Sequence, residues 1–80
     1  MMVKAYVLLK VTPGHERNIV QKLKDMPEMA DVNELYGEWD IIARASVERI
    51  EDLDALLSEK MRRIEGITLT STMIVAEYKY

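Results

Sequence analysis

Four segments of the chain have the composition or pattern of β-strands, and two of them carry apolar residues at every second position. In residues 3–11 the apolar side chains predict a strand with one fully buried face. Residues 41–45 repeat the pattern, and residues 29–36 predict a weaker strand at a sheet edge. Residues 67–78, rich in Thr, Ile and Val, predict a long final strand. The buried face of the first strand is Val3, Ala5, Val7, Leu9 and Val11.

Two segments change to the spacing of amphipathic helices. Residues 15–26 predict a short helix that Pro27 ends, and residues 48–64 predict a longer one. Ser46 is the expected N-cap of the second helix, and Gly66 is its expected left-handed C-terminal cap. The apolar stripes are Ile19, Val20, Leu23 and Met26 in the first helix and Ile50, Leu53, Leu57, Met61 and Ile64 in the second.

The order of these elements, β-α-β-β-α-β, predicts one α+β domain over residues 1–80. Two β-α-β halves joined by a hairpin form a ferredoxin-like plait, a four-stranded antiparallel sheet with two helices on one face. Gly37-Glu38 is a glycine-first pair, which predicts a tight type II′ turn in the hairpin.

The other face of such a sheet has no helix to cover it. Its alternate positions include Tyr6, Leu8, Ile42 and either Met73 or Ile74, a sizeable apolar patch. Soluble monomers rarely expose a patch of this kind. The pattern therefore predicts that the chain dimerises through the open face of its sheet.

Composition excludes several classes of partner. The 80 residues contain no cysteine and carry 14 acidic against 11 basic side chains, a net charge of −3. Without clustered Lys and Arg, direct nucleic-acid binding is not expected. The apolar start is too short to span a bilayer and lacks a signal-type cleavage pattern, which predicts a cytoplasmic protein with no membrane partner.

Catalytic and metal chemistry find little support. His15 is the one histidine and has no partner motif, so a solvent-exposed residue in a first helical turn is expected. The acids of residues 48–54 suit the start of a helix, where they complement its dipole. We therefore expect no enzyme, no metal and no cofactor.

Two polar clusters remain, the hairpin 37–40 and the hydroxyl run Thr68, Thr70, Ser71 and Thr72. A free amino acid needs donors for its carboxylate and an acceptor for its ammonium group. Strand hydroxyls with backbone N–H groups suit the first need, and Asp40 suits the second. The competing interpretation is structural, because threonine favours strands and an aspartate after a turn often accepts local backbone hydrogen bonds.

The segment Leu35-Tyr36-Gly37-Glu38-Trp39-Asp40-Ile41-Ile42 resembles the Gly-x-aromatic-Asp hairpin of the Lrp/AsnC transcription regulators. Ile64-Glu65-Gly66-Ile67 and Thr70-Ser71-Thr72 also resemble segments of that family's ligand-binding (RAM) domain. The resemblance covers essentially the whole chain. It implies a plait that dimerises through its sheet faces, dimers that associate into octameric rings, and a free amino acid bound between dimers.

The resemblance also implies roles for individual residues. Asp40 would hold the ammonium group, Trp39 would form a wall of the site, and Glu38 would tune ligand choice. Tyr36 replaces a commonly small polar residue. The ligand-binding residues it implies are Tyr36, Gly37, Glu38, Trp39, Asp40, Thr70, Ser71 and Thr72.

Full-length members carry an N-terminal helix-turn-helix, whereas this sequence begins directly on the first strand. The expectation is a stand-alone effector-binding domain that modulates transcription through oligomerisation or through association with full-length Lrp/AsnC regulators. Two alternatives stay open. One is a small enzyme of the dimeric α+β-barrel type, such as a cofactor-free oxygenase or isomerase, and the other is a purely structural assembly module.

Overall fold

The computed structural model describes residues 2–76 as a four-stranded antiparallel sheet with its helical segments on one face. The strands lie in the order β2-β3-β1-β4. The first strands of the two β-α-β halves, β1 and β3, are therefore the central ones. This is the predicted α+β ferredoxin-like plait. Its elements are β1 (Val3–Val11), α1 (Glu16–Lys24), β2 (Met29–Glu34), β3 (Ile41–Val47), α2 (Ile50–Ala55) and β4 (Ile67–Ile74).

The core lies between the helical layer and the central strands. The alternation in β1 and β3 places Val7, Leu9 and Ile41 on the helix-facing side, where they are fully buried against Ile19 and Leu23 of α1. Burial of each such side chain contributes about 1.5–3 kcal/mol. No helix within residues 2–76 is long and apolar enough to cross a membrane.

The second helical segment differs from the predicted continuous helix over residues 48–64. The α-helix α2 ends at Ala55, and a π-helical turn over Leu56–Lys60 and a 3₁₀ turn over Met61–Arg63 follow it. In the π-turn, the Met61 N–H donates to the Leu56 carbonyl five residues earlier. The wider winding explains the buried positions, because Leu56 and Met61 both enter the core whereas Leu57 is only half-buried.

The expected caps of this segment are wrong. Ser46 lies inside β3, where it pairs with Lys4 and donates its backbone N–H to the Glu28 carbonyl at 2.9 Å. The N-cap of α2 is Arg49, which makes no side-chain capping bond. Gly66 has the expected positive φ of 100°, but it lies in the turn before β4, two residues beyond Ile64, the C-cap of the 3₁₀ turn.

His15 packs against Gly66 rather than standing in solvent. Its side chain is half-buried, and a Cβ built on Gly66 would lie 2.7 Å from the imidazole Cγ and Nδ1. The Gly66 carbonyl accepts a hydrogen bond from the Thr12 N–H at 2.8 Å. The prediction of an exposed histidine was wrong because the turn before β4 folds onto the start of α1.

The open face of the sheet carries the predicted apolar patch. Tyr6 lies between Arg44 and Met73, and Leu8 lies between Ile42 and Ser71 in the strand register. Met73 therefore belongs to this face, while Ile74 pairs with Ala5 and faces the helical layer. Tyr6 is 43% exposed and Met73 is 51% exposed. Soluble monomers rarely expose so many large apolar side chains on one face, and these side chains would be removed from water only by packing against a partner surface.

The two outer strands end earlier than predicted. β2 stops at Glu34, and its pairing with β3 shifts register between Ala30 and Asn33, where Asp31 adopts a φ of 51°. The Asp31 carboxylate contacts the Arg44 guanidinium at 2.9 Å on the exposed surface. β4 stops at Ile74, and the last part of the strand predicted over 67–78 lies outside the described residues.

Candidate functional site

The hairpin between β2 and β3 is longer than the predicted two-residue turn. The Leu35 N–H donates to the Asp40 carbonyl at 2.8 Å, so that residues 36–39 cross between the strands. Gly37 has a φ of 153°, whereas the first central residue of a type II′ turn has a φ of about +60°. The type II′ prediction was wrong, because the backbone of Asp40 bonds to Leu35 and to β1 instead of closing a tight turn.

Asp40 fastens this hairpin to the end of β1. Its backbone N–H donates to the Leu9 carbonyl at 2.9 Å, and its Oδ2 accepts a hydrogen bond from the Val11 N–H at 2.9 Å. The last register pair between β1 and β3 is Leu9 with Ile41, so the carboxylate occupies the next position of the ladder. A carboxylate has about four acceptor positions, so this bond leaves capacity for a ligand donor.

Trp39 lies on a different side of the hairpin from the cavity described next. The Lys10 Nζ stands 5.7 Å from the centroid of its ring, within the range of a cation–π interaction, and the ring is half-buried. Tyr36 and Glu38 are exposed, and Tyr36 projects fully into solvent. Within one chain, Trp39 contacts Lys10 and is not among the residues that line the cavity.

A cavity of about 470 Å³ lies between the hairpin and the start of α1. It is lined by Glu16, Glu34, Leu35, Tyr36, Gly37 and Asp40. Three carboxylates and no basic side chain border it, so its field favours a ligand group that carries positive charge.

Glu16 and Glu34 were not among the residues predicted for the site. The Glu16 Oε1 also accepts the Gly14 N–H at 2.7 Å, which orients this side chain at the helix start. Glu16 reaches the cavity through the tertiary packing of α1 on the hairpin, whereas Glu34 borders it as the last residue of β2, next to the hairpin.

The hydroxyl run does not reach this cavity. Thr70 pairs with Leu9 and Thr72 with Val7 on the helix-facing side, whereas Ser71 lies on the open face. Strand β1 separates Thr70 from the hairpin, which places the two about 10 Å apart at roughly 4.8 Å per strand spacing. Thr70 instead borders a separate cavity of about 290 Å³ with the end of the second helical segment. One chain therefore carries the two predicted halves of the site on either side of β1.

The paired variants Asp40→Ala and Asp40→Asn separate the structural role of Asp40 from ligand binding. Alanine leaves the Val11 N–H without its acceptor, and we expect the free energy of unfolding to fall by about 1–2 kcal/mol. Asparagine keeps an acceptor oxygen and removes the charge, so its unfolding free energy should stay within about 0.5 kcal/mol of the parent's. Chemical denaturation measures both. Equal losses in the two variants would show that the carboxylate charge, not the hydrogen bond to Val11, holds the hairpin.

Comparison with known proteins identifies the class of this domain. The sequence profile of the "Lrp/AsnC ligand binding domain" matches residues 4–79. The fold and this match define a ligand-binding domain of transcriptional regulators. The chain belongs to the Lrp/AsnC family, as the hairpin resemblance implies.

Individual relatives agree with this assignment. The HTH-type transcriptional regulator FL11 of Pyrococcus furiosus is 34% identical over 71 residues, which cover 89% of this chain and 46% of FL11. The crystal structure of FFRP-DM1 has a TM-score of 0.89 and 38% identity, covering 92% of this chain and 99% of that one. The chain spans about half the length of the curated relatives it matches. These curated relatives are named as HTH-type transcriptional regulators.

A more distant protein shares the fold alone. The transcriptional regulator NMB0573 of Neisseria meningitidis, solved in complex with L-Met, has a TM-score of 0.85 at 14% identity, over 94% of this chain and 50% of that one.

Proposed function

We propose that this domain binds a free amino acid at a site shared between subunits, and that binding changes its state of assembly. The observation that carries the proposal is the acid-bordered cavity at the Gly37–Asp40 hairpin in a chain of a ligand-binding family. The remaining acceptor capacity of Asp40 would take the ammonium group of the ligand, with Glu16 and Glu34 adding to the negative potential. The solved complex of the Neisseria regulator with L-Met supports an amino acid as the effector.

The carboxylate of the ligand finds no basic side chain among the described residues that line this cavity. The hydroxyls of Thr70 and Thr72 lie beyond β1 on the same chain, so they would serve a hairpin from a neighbouring subunit. Tyr36, Glu38 and Trp39 stand at the rim of the hairpin, where they would meet that neighbour and contribute to ligand choice. A ligand between subunits binds only the assembled state, so its presence shifts the assembly equilibrium.

Assembly in this proposal begins with two chains that pack the open faces of their sheets together. The apolar patch around Tyr6 and Leu8 supplies the contact. Four such dimers would then associate with closed symmetry into an octameric ring. The same surfaces would let the domain join full-length Lrp/AsnC regulators in the cytoplasm. Transcription would then respond to the amino acid through the composition or size of the assembly rather than through direct DNA contact by this domain.

A thermal-shift screen against the common amino acids, run beside light scattering, tests the proposal. A ligand at a hundredfold excess over its dissociation constant adds about 2.7 kcal/mol to the stability of each site. We expect one or a few amino acids to raise the melting temperature and to change the mass, and Asp40→Asn to lose both effects while it stays folded. A constant melting temperature and constant mass with every amino acid would refute the effector role and leave an assembly module.

A further inference from the structure

The side chain of Tyr36 stands free at the end of the hairpin between β2 and β3. It is fully exposed, although the backbone on either side is held by the hydrogen bonds of Leu35 with Asp40 and of Asp40 with Leu9. A turn needs no aromatic ring at this position. A tyrosine held on a fixed base suits the anchor of a protein interface, because it offers a large apolar surface at a low cost in conformational entropy.

The cavity of about 290 Å³ beside β4, here called the β4 cavity, suits a ring of this kind. Its volume lies at the lower end of the range of small-molecule sites, about 300–1,000 Å³, so a single side chain fits it better than a large ligand does. Met61 is buried in its floor, and a thioether sulfur packs favourably against an aromatic ring. The apolar floor includes Leu57, Met61 and Ile67, and the exposed rim includes Arg62, Thr68 and Thr70.

Tyr36 cannot fill the β4 cavity of its own chain. The hairpin follows β2, and β2 and β4 are the opposite edges of the sheet, three strand spacings or about 14 Å apart. Both features nevertheless lie at the same end of the sheet, because Leu9 accepts the Asp40 N–H on one side and pairs with Thr70 on the other. A second copy can therefore present its β4 cavity to this hairpin.

The charges of the two surfaces are complementary. Glu34, Glu38 and Asp40 make the hairpin acidic, and no basic side chain lines the cavity beside it. Arg62 borders the β4 cavity, which has no acid among its described lining residues. Arg62 is exposed and forms no ion pair within residues 2–76. A hairpin is therefore attracted to a β4 cavity, whereas two hairpins would repel each other.

We propose that the Tyr36 ring of one chain inserts into the β4 cavity of a second copy, with Arg62 of that copy beside the acids of the hairpin. The inference rests on the proposed function, in which the hairpin and the hydroxyls come from different chains, and it names the side chain that joins them. Insertion brings Thr70 of the second copy next to Asp40 of the first. The ring buries only about 150–250 Å², so it anchors a wider contact between chains that are already paired through their sheet faces.

Sedimentation velocity of the dialysed protein over a range of concentrations, with no amino acid present, tests this contact. We expect Tyr36→Ser to weaken the association of dimers by at least about tenfold, because the anchoring ring is lost. Tyr36→Phe keeps the ring and should stay within about threefold of the parent. Both variants should keep the parent's circular dichroism. An unchanged mass in Tyr36→Ser, an equal loss in Tyr36→Phe, or a parent that never exceeds the mass of two chains would overturn the proposal.

Thr70→Trp tests the receiving cavity, because an indole at this position occupies the space that the ring needs. We expect it to stay folded and to lose association as Tyr36→Ser does, while Gln21→Trp, on the exposed surface of α1, keeps the parent's mass. Mixing Tyr36→Ser with Thr70→Trp should restore association, since one supplies intact cavities and the other intact hairpins. A mixture that stays dissociated would refute the contact. The effector role is tested separately, because a melting temperature that no amino acid changes would refute that role and leave this result intact.

Discussion

Replacement of Gly66 by alanine is expected to lower the free energy of unfolding by about 2–5 kcal/mol. One part of the cost, about 1–2 kcal/mol, arises because a residue with a Cβ is strained at a φ of 100°. The other part, about 1–3 kcal/mol, arises because the new Cβ would lie 2.7 Å from the His15 ring, whose Cβ and Cγ are tied to the start of α1. Chemical denaturation of the purified domain measures the sum.

Two controls divide this loss into its parts. Gly14 has a similar φ of 94° but open space where its Cβ would stand, so Gly14→Ala should cost only the backbone part. In a His15→Gly background, which also removes the His15 Cβ that would lie 2.8 Å from the new Cβ, Gly66→Ala should likewise lose the steric part. A Gly66→Ala variant no less stable than Gly14→Ala would mean that the ring moves aside freely, and that the packing of His15 contributes little to the fold.

Leu8→Glu is expected to dissociate the proposed dimer into single chains that stay folded. Leu8 lies at the centre of the open sheet face between Ile42 and Ser71, and two packed faces would bury a carboxylate from each copy among apolar side chains. An unpaired buried charge costs several kcal/mol, more than most such interfaces can absorb. Light scattering or analytical ultracentrifugation should report the mass of one chain, and circular dichroism should report an unchanged fold.

Asn18→Glu is the matched control for this variant. It adds the same charge on the exposed surface of α1, away from the sheet, and should leave the mass unaltered. If Leu8→Glu keeps the parent's mass, the chains do not associate through the open face. A lower mass in both variants would mean that the added negative charge prevents association whichever surface carries it.

Strands β1 and β3 could be predicted because alternation records directly which face of a strand is buried. β1 buries alternate residues from Ala5 to Val11, and β3 buries them from Ile41 to Val47, so both strands leave a period-two pattern in the sequence. The second helical segment could not be predicted in the same way. A five-residue step from Leu56 to Met61 fits no helical stripe, and only packing against the sheet selects it.

The candidate site could be predicted only in part, because its geometry depends on contacts between distant segments. Nothing near Asp40 in the sequence indicates that its carboxylate replaces a ladder position beside Val11, 29 residues away. Glu16 could not be predicted for the same reason, because it comes from α1, which is distant from the hairpin in the sequence. The hydroxyl run is different, since alternation alone implies that Ser71 points away from Thr70 and Thr72.

The position of β1 between the hairpin and Thr70 has a consequence for how such a domain would sense its effector. If each binding site needs the hairpin of one chain and the hydroxyls of another, occupancy depends on the concentration of the protein as well as on that of the amino acid. The domain would then respond only when both concentrations are high enough. At low copy number it would ignore an effector level that saturates it when the chain is abundant, so a cell could set the threshold of the response through the amount of protein it makes.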